Sequence, residues 1–346
     1  MQKKLYLLLT VFLVVYGFWS YLKTVNTNPT PEVIMPTKKP VTVLATGDIN
    51  LGRLTGQKIL EGQNTYAFDN IADYIKGFDI AFGNLESQLA DLGGETQSPT
   101  NEYRFAGPPG GAEGLKESGW DIVSLANNHM WDYGKDALFE TMEYLEQAGV
   151  TYTGSSRTTK NLYSPTVLES NNQSIAFLAF TMLLNGYENA GALDYVTWKD
   201  EDKLIEAITN IKDEMDWVIV SMHGGVEYKS QPTQEKIDLA HALIDAGADI
   251  IVGHHPHIPQ GIEEYKDGVI FYSLGNFAFW QPFGYWTEHT FVPEITLNTN
   301  GTFTYELTGI NSGWQPSLAE GDDIDEILNH INDLSTILAE DIGIDV

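Results

Sequence analysis

Short apolar runs along this chain end, one after another, on side chains that ligate metals. Residues 41–46 run into Gly47-Asp48-Ile49-Asn50, residues 80–82 into Gly83-Asn84-Leu85-Glu86, and residues 122–125 toward Asn127-Asn128-His129. Further on, 218–221 lead to His223 and 250–252 to Gly253-His254-His255-Pro256-His257. Carboxylate, amide and imidazole donors brought together suit one or two borderline divalent ions, Mn²⁺ or Zn²⁺ ahead of Mg²⁺. Taken singly, each segment is ordinary: an Asp after a strand caps a helix or makes an Asx turn, and Asn-Asn makes a turn. His-x-His says more, because alternate residues beyond a strand can both turn toward one ion, the alternative being that one histidine only orients the other. The ordered series is much harder to attribute to chance.

The elements that must position these donors read as alternating strands and helices. Strands are expected at 41–46, 80–83, 122–125, 175–180, 217–221 and 250–253, with amphipathic helices at 136–147, 202–213 and 234–246. This is βαβ patterning, and open α/β sheets place ligands at the C-terminal ends of their strands, where the donors lie. After Gly268 the pattern changes to successive strands at 269–274, 290–297 and 303–308, with Asn298-Thr299-Asn300-Gly301 as a hairpin turn. From Asp322 onward Ile and Leu alternate with acids, which reads as an acidic amphipathic helix or a partly disordered tail.

Composition narrows the partners. Nineteen Lys and Arg against 48 Asp and Glu give a formal net charge of −29. That sign excludes ordinary nucleic-acid binding, and it makes a polyanion a poor ligand unless cations or a locally basic groove intervene. No cysteine occurs, which removes disulfides, zinc–thiolate sites and thiol catalysis. Lys3 and Lys4 precede an uncharged apolar run at 5–22, about long enough to cross a hydrocarbon core, with Tyr16, Trp19 and Tyr21 near its far end. The expected topology is a cytoplasmic 1–4, a transmembrane helix at 5–22 and everything beyond it outside the cell. A cleaved signal peptide is the alternative, but no small-x-small site follows in Lys23-Thr24-Val25-Asn26. The spaced prolines of 23–40 read as an extended linker.

The motifs also resemble a known family. Gly47-Asp48-Ile49-Asn50-Leu51-Gly52-Arg53, Gly83-Asn84-Leu85-Glu86, and Asn127-Asn128-His129 with Asp132-Tyr133-Gly134 look like the successive motifs of CapA/PgsA proteins of poly-γ-glutamate capsule synthesis. His223-Gly224-Gly225-Val226-Glu227-Tyr228, His255-Pro256-His257 with Gln260, and Tyr272-Ser273-Leu274-Gly275-Asn276-Phe277 continue the series over residues 41–280. The resemblance implies an α/β/β/α sandwich of the calcineurin-like metallophosphoesterase type at 41–312, followed by the acidic segment 313–346. It implies partners too: a cytoplasmic ATP-dependent ligase subunit of the polyglutamate synthase, a small integral-membrane subunit and the membrane itself. The ligand would be an anionic polymer or a phosphate ester.

Against the wider phosphoesterase pattern the resemblance assigns Asp48, Asn84, Glu86, Asn128, His223, His255 and His257 to metal, with His129 as a general acid. Asn50 stands where that pattern has a histidine, and Asn84 where it has the bridging aspartate. Glu86 is then the candidate bridge, a carboxylate bridging better than an amide. Arg53 is expected either to hold a carboxylate or phosphate or to make a surface salt bridge, and Asn276 is the polar candidate of its strand. Glu227 and Tyr228 are expected to support His223, and Trp280, Phe283, Tyr285 and Trp286 to form a packed satellite cluster, a lid, a partner surface or a membrane-facing patch. Besides the synthesis-complex reading, a free-standing extracytoplasmic metallohydrolase and a non-catalytic scaffold both stay open.

Overall fold

The computed structural model describes Ser20 and residues 37–343, and the chain from Lys38 onward forms one compact unit. The expected membrane span, 5–22, lies outside the described residues apart from Ser20, as does most of the 23–40 linker. Among the described residues no helix is long and apolar enough to cross a membrane.

The eight-stranded sheet begins with β1 (Val41–Ile49) at its centre, flanked by β2 (Ile80–Leu85) and then β5 (Ile122–Ser124) and β6 (Thr151–Thr153), all parallel. A two-stranded ribbon, β3 (Gln88–Leu89) with β4 (Ala106–Gly107), stands apart. The six-stranded sheet holds β7 (Thr166–Ser170), β8 (Gln173–Thr181), β9 (Trp217–His223), β10 (Ile250–His254), β11 (Ile262–Tyr265) and β12 (Gly268–Phe271), in the order β11-β12-β10-β9-β8-β7. The chain then returns to the first sheet with β13 (Asn276–Ala278) beside β1, and with β14 (His289–Leu297), β15 (Phe303–Asn311) and β16 (Ser317–Leu318) antiparallel at its edge. This last series is the expected change of pattern, and Asn298 closes its hairpin by donating its N–H to Thr302 O at 2.9 Å.

The strands alternate faces, and both faces are buried. Val43, Ala45, Ile80, Phe82 and Ile122 point at Ile175, Phe177, Ile219, Ile250 and Val252 of the other sheet. Leu44, Ile49, Ala81, Leu85 and Val123 point away, under the helices Gly110–Glu117 and Gly134–Ala148. Leu178, Val220, Met222 and Ile251 pack under Glu201–Ile211 and Gln234–Ala246. The result is four layers, α/β/β/α. Double coverage explains the nearly continuous apolar strands. Each buried ring such as Phe82, stacked on Phe177 across the sandwich at 5.7 Å, contributes roughly 1.5–3 kcal/mol.

The acidic tail is ordered over one helix, Asp322–Asp341. Ile327, Ile331 and Leu334 lie on one stripe and pack into the core between the sheets, so the helix reading holds for this span and the disordered one does not. His330, which in an acidic tail would be solvated, instead stacks on Trp286 with centroids 3.6 Å apart.

Candidate metal centre

The two sheets present their C-terminal strand ends to one another, and the donors meet there. Asp48 and Asn84 sit side by side across β1 and β2, with Asn276 level with Asp48 on the other flank. A register shift between Ala45 and Asp48 makes room for this, and Gly47 is required: a Cβ there would lie 2.0 Å from Gly275 O. Asn127 sets the neighbouring amide, its Nδ2 donating to Asn84 Oδ1 at 3.1 Å and Leu85 O at 2.8 Å. Asn84 Nδ2 must then face the carboxylates. It donates to Asp48 Oδ1 at 2.8 Å and lies 3.2 Å from His223 Nδ1.

From the second sheet, β9 ends on His223 and β10 on His254, and the chain beyond turns through left-handed His255 (φ 93°) and His257 (φ 61°). Left-handed backbone at a residue with a Cβ costs about 1–3 kcal/mol and here re-aims two imidazoles at the same place. His257 Nδ1 lies 3.1 Å from Asp48 Oδ2 and 3.0 Å from Asn276 Oδ1. Asn276 Nδ2 donates to Gln281 Oε1 and Thr287 O, which fixes its Oδ1 as an acceptor and makes His257 Nδ1 the N–H donor. His257 Nε2 is the nitrogen left toward Glu86 Oε1, 3.8 Å away.

Glu86 is the centre of the arrangement. It is fully buried, and its Oε1 makes no hydrogen bond, yet Nε2 of His129, of His223 and of His257 each lie 3.8 Å from it. Three donor groups converge closely enough to hold an ion: Glu86 with His223 and His255, Asp48 with Glu86 and His257, and Glu227 with His255 and His257. Glu86 belongs to the first two, the position of a bridge. The electrostatics fit a cation: burial opposes the charge on Asp48, but contacts with His254 and His257 outweigh it and hold the pKa well below the ordinary value. Burial and the nearby Asp48 push Glu86 well above its own. Burial and His255 lower His223, and burial with His257 takes His255 down to about 3. These two rings are therefore neutral at pH 7, the ligating form. A buried unpaired carboxylate oxygen facing neutral imidazoles is costly without a cation, so the donors fit one.

Beside this cluster opens a cleft of about 670 Å³ that includes Tyr103, Arg104, Asn128, His129, Tyr228 and Phe283 among its walls. His129 Nδ1 pairs with Asp132 Oδ2 at 2.8 Å, so its other nitrogen faces Glu86. Arg53 makes no salt bridge among the described residues. Its guanidinium lies over Phe105 at 4.7 Å and Phe279 at 5.4 Å, its Nε is buried without a hydrogen bond, and its backbone is left-handed (φ 53°). Phe105 and Phe279 in turn contact His129 and His257. The surface-salt-bridge alternative for Arg53 is thus not what forms among the described residues; its guanidinium stands next to the cluster with Glu102 and Glu86 as the nearby acids that favour its charge.

Residues 42–281 match the family described as "Bacterial capsule synthesis protein PGA_cap". The chain belongs to this family. Among its relatives, "Capsule biosynthesis protein CapA" of Bacillus anthracis is 32% identical over 81% of this chain and 70% of its own length. "PGA biosynthesis protein CapA" of Bacillus subtilis (strain 168) is 31% identical over 87% of this chain and 78% of its own. A "Probable polyglutamine synthesis accessory protein" of Mycobacterium tuberculosis is 26% identical over 57% and 55%.

Every donor discussed here lies inside the PGA_cap region. The structure brings Asp48, Asn84, Glu86, His223, His255 and His257 together; Asn128 joins through its Oδ1, 2.8 Å from His223 Nε2. Asn276 reaches His257 from behind. Asn50 turns away, its Oδ1 accepting from Gly52 N at 2.8 Å, so it does not replace a ligand. Glu227 and Tyr228 approach the His255-Pro256-His257 turn rather than backing His223: Glu227 groups with His255 and His257, and Tyr228 N donates to Pro256 O. Of the aromatic loop, Trp286 stacks on His330, Trp280 stacks on Trp314 yet stays exposed, and Phe283 is 68% exposed at the mouth of the cleft. Asp132, Asn127 and His254 stand in the sequence motifs without a role of their own. The His129–Asp132 spacing was the available signal for the first; the other two show only in three dimensions.

Proposed function

We propose that this chain is the membrane-anchored, extracytoplasmic subunit of poly-γ-glutamate synthesis or export, and that its cleft engages the anionic polymer at a divalent-cation centre of the calcineurin-like metallophosphoesterase type. Membership of the PGA_cap family and the printed names of the relatives support the polymer; the apolar run at 5–22 behind Lys3 and Lys4 supports the anchor. The observation that carries the centre is Glu86, whose Oε1 is buried without a hydrogen bond and whose carboxylate is shared by two of the donor groups.

Asp48, Glu86, Asn128, His223, His255 and His257 would hold Mn²⁺ or Zn²⁺, whose bound charge polarises an acyl or phosphoryl oxygen. The protein's own groups do the rest. Arg53, unpaired over its two rings, binds a carboxylate of the chain and offsets locally the repulsion of a −29 protein. His129 gives or takes a proton at Nε2 while Asp132 fixes its other nitrogen. Tyr103, Tyr228 and Phe283 line the approach. A cytoplasmic ligase subunit and a small membrane subunit are the proposed partners, testable by co-purification from detergent.

A specific observation favours a second reading, a scaffold that keeps the fold without turnover. Asn84 donates its amide N–H to Asp48 where the phosphoesterase pattern has a carboxylate, which relieves part of the acidic cluster without any cation. The test is elemental analysis of chain purified without chelator, together with polymer output of cells carrying His129→Ala. Metal present and output lost sustains the proposal; full output from that variant leaves the scaffold.

A further inference from the structure

We infer that Lys236 is a positioning residue that holds the imidazole-bearing turns of the centre in register from behind the sheet. Lys236 is fully buried, and its Nζ donates to Gly224 O at 2.8 Å, Tyr272 O at 2.7 Å and His254 O at 3.4 Å. Three acceptors use the three N–H bonds of an ammonium. They belong to the chain leaving β9, β10 and β12, three adjacent strands, at the places where His223 has just ended and His255 is about to begin. The lysine also stands against the turns themselves: a Cβ at Gly225 would meet its Cδ at 3.7 Å and Pro256 Cγ at 3.8 Å.

The location is costly for a cation, which argues that it does something local. Lys236 lies in the first turn of the helix Gln234–Ala246, where Thr233 caps the backbone by accepting from Lys236 N, so an ammonium there meets the positive end of the helix dipole, and burial takes its pKa down to about 7. Burial of the ammonium costs several kcal/mol more unless each N–H is satisfied. An apolar side chain would pack the same helix without either penalty. What an apolar side chain cannot do is add a further tie among these carbonyls, one of which, His254 O, already accepts from Gly224 N. Beyond β9 and β10 the ladder gives way to single bonds, Tyr228 N to Pro256 O, Leu274 N to Gly253 O and Gln260 N to Ser273 O among them, around turns carrying left-handed His255 and His257.

Tyr272 is anchored from its other end as well. Its hydroxyl donates to Glu263, which pairs with His241 of the same helix, so the strand that Lys236 grips cannot slide.

The cation part of the test depends on the proposed function; the positioning part does not. Full-length chain in detergent would be compared as wild type, Lys236→Met and Leu243→Ala, the last removing a buried apolar side chain of the same helix. Mn²⁺ titration should show Lys236→Met binding about 10- to 100-fold more weakly, the range for groups that orient ligands, whereas Leu243→Ala lowers the metal-free melting temperature at unchanged affinity. Equal affinity in Lys236→Met, or equal weakening in Leu243→Ala, overturns the inference. Hydrogen exchange on metal-free protein is the second arm: faster exchange confined to 224–228 and 254–260 supports positioning, and uniform or unchanged exchange overturns it. If wild type binds no Mn²⁺ the proposed function fails, and the exchange arm alone decides. Should Lys236→Met not fold, Lys236→Gln, with two N–H donors on a shorter neutral arm, is measured in its place with the same expected direction.

Discussion

The six-stranded sheet brings imidazoles to the centre, and the eight-stranded sheet brings carboxylates and amides; the two halves are finished to different degrees. On the imidazole side His223, His255 and His257 converge, two of them on left-handed backbone, and a buried lysine ties their turns from behind. On the oxygen side Asn50 turns back to Gly52, Asn84 donates to Asp48, and Glu86, from beyond the end of β2, is the candidate bridge. On the proposed reading, affinity for a cation would be concentrated on one sheet, and the charge balance that decides what the site does would lie on the other. The halves can be perturbed separately.

Removing an imidazole ligand should have the largest effect. His223→Ala deletes a donor and also strands Asn128 Oδ1, so metal affinity should fall by more than the roughly 100-fold typical of an orienting group. The metal-free fold should lose about 1–3 kcal/mol from the unpaired buried amide. Calorimetric titration and denaturant melts read the two losses. His129→Ala tests the other side of the cleft: metal content unchanged, with polymer output or any hydrolysis down about 10²–10⁴-fold. Equal metal loss in both variants would erase the proposed division between ligand and acid.

Glu86→Gln comes next, because it acts in opposite directions on the two states. Metal affinity should drop, since an amide is a weaker ligand than a carboxylate, while the metal-free protein should be no less stable, having lost a buried charge beside Asp48. The pH dependence follows. Glu86 has a folded pKa raised above its unfolded value, so the folded state holds its proton more tightly. Its contribution is present below the ordinary carboxylate pKa and is lost as pH rises from there through the raised value. Metal-free wild type should therefore lose stability over that window, and Glu86→Gln should show a flatter profile. An identical slope in the two would show that Glu86 does not govern it.

How much of this was legible follows the same divide. Strand-final histidines stand out because few apolar runs end that way, and the helices expected at 136–147, 202–213 and 234–246 came from clean periodicity, each within about two residues of the observed bounds. The helix Gly110–Glu117 was hidden by its glycines; Gly114 is there for contact, since a Cβ would lie 1.9 Å from Asn64 O. Glu86 was readable only as a possibility, because its direction depends on the turn after β2, where its N–H donates to Ile49 O at 2.7 Å. Lys236 was not legible at all. In a helical pattern a lysine reads as solvated, and its three acceptors come from segments that sequence does not bring together.

The smallest effect expected, and the one that most sharpens the comparison, is that of Asn84→Asp. The variant keeps an oxygen for Asn127 Nδ2 to donate to, but replaces the N–H that Asp48 Oδ1 accepts with a second carboxylate oxygen. Without a cation this costs one buried hydrogen bond and adds like charge next to Asp48 and Glu86, so metal-free stability should fall by about 1–3 kcal/mol. With a cation the same oxygen becomes a ligand placed between the two donor groups that share Glu86. Affinity should rise by up to about tenfold, or about 1.4 kcal/mol, and a second equivalent of Mn²⁺ should become measurable by titration. The two readings of the protein part here. If the site works with a cation, the variant trades metal-free stability for occupancy. If Asn84 is what lets a scaffold keep its acidic cluster without metal, the variant only loses stability, and no added Mn²⁺ restores the melting temperature of wild type.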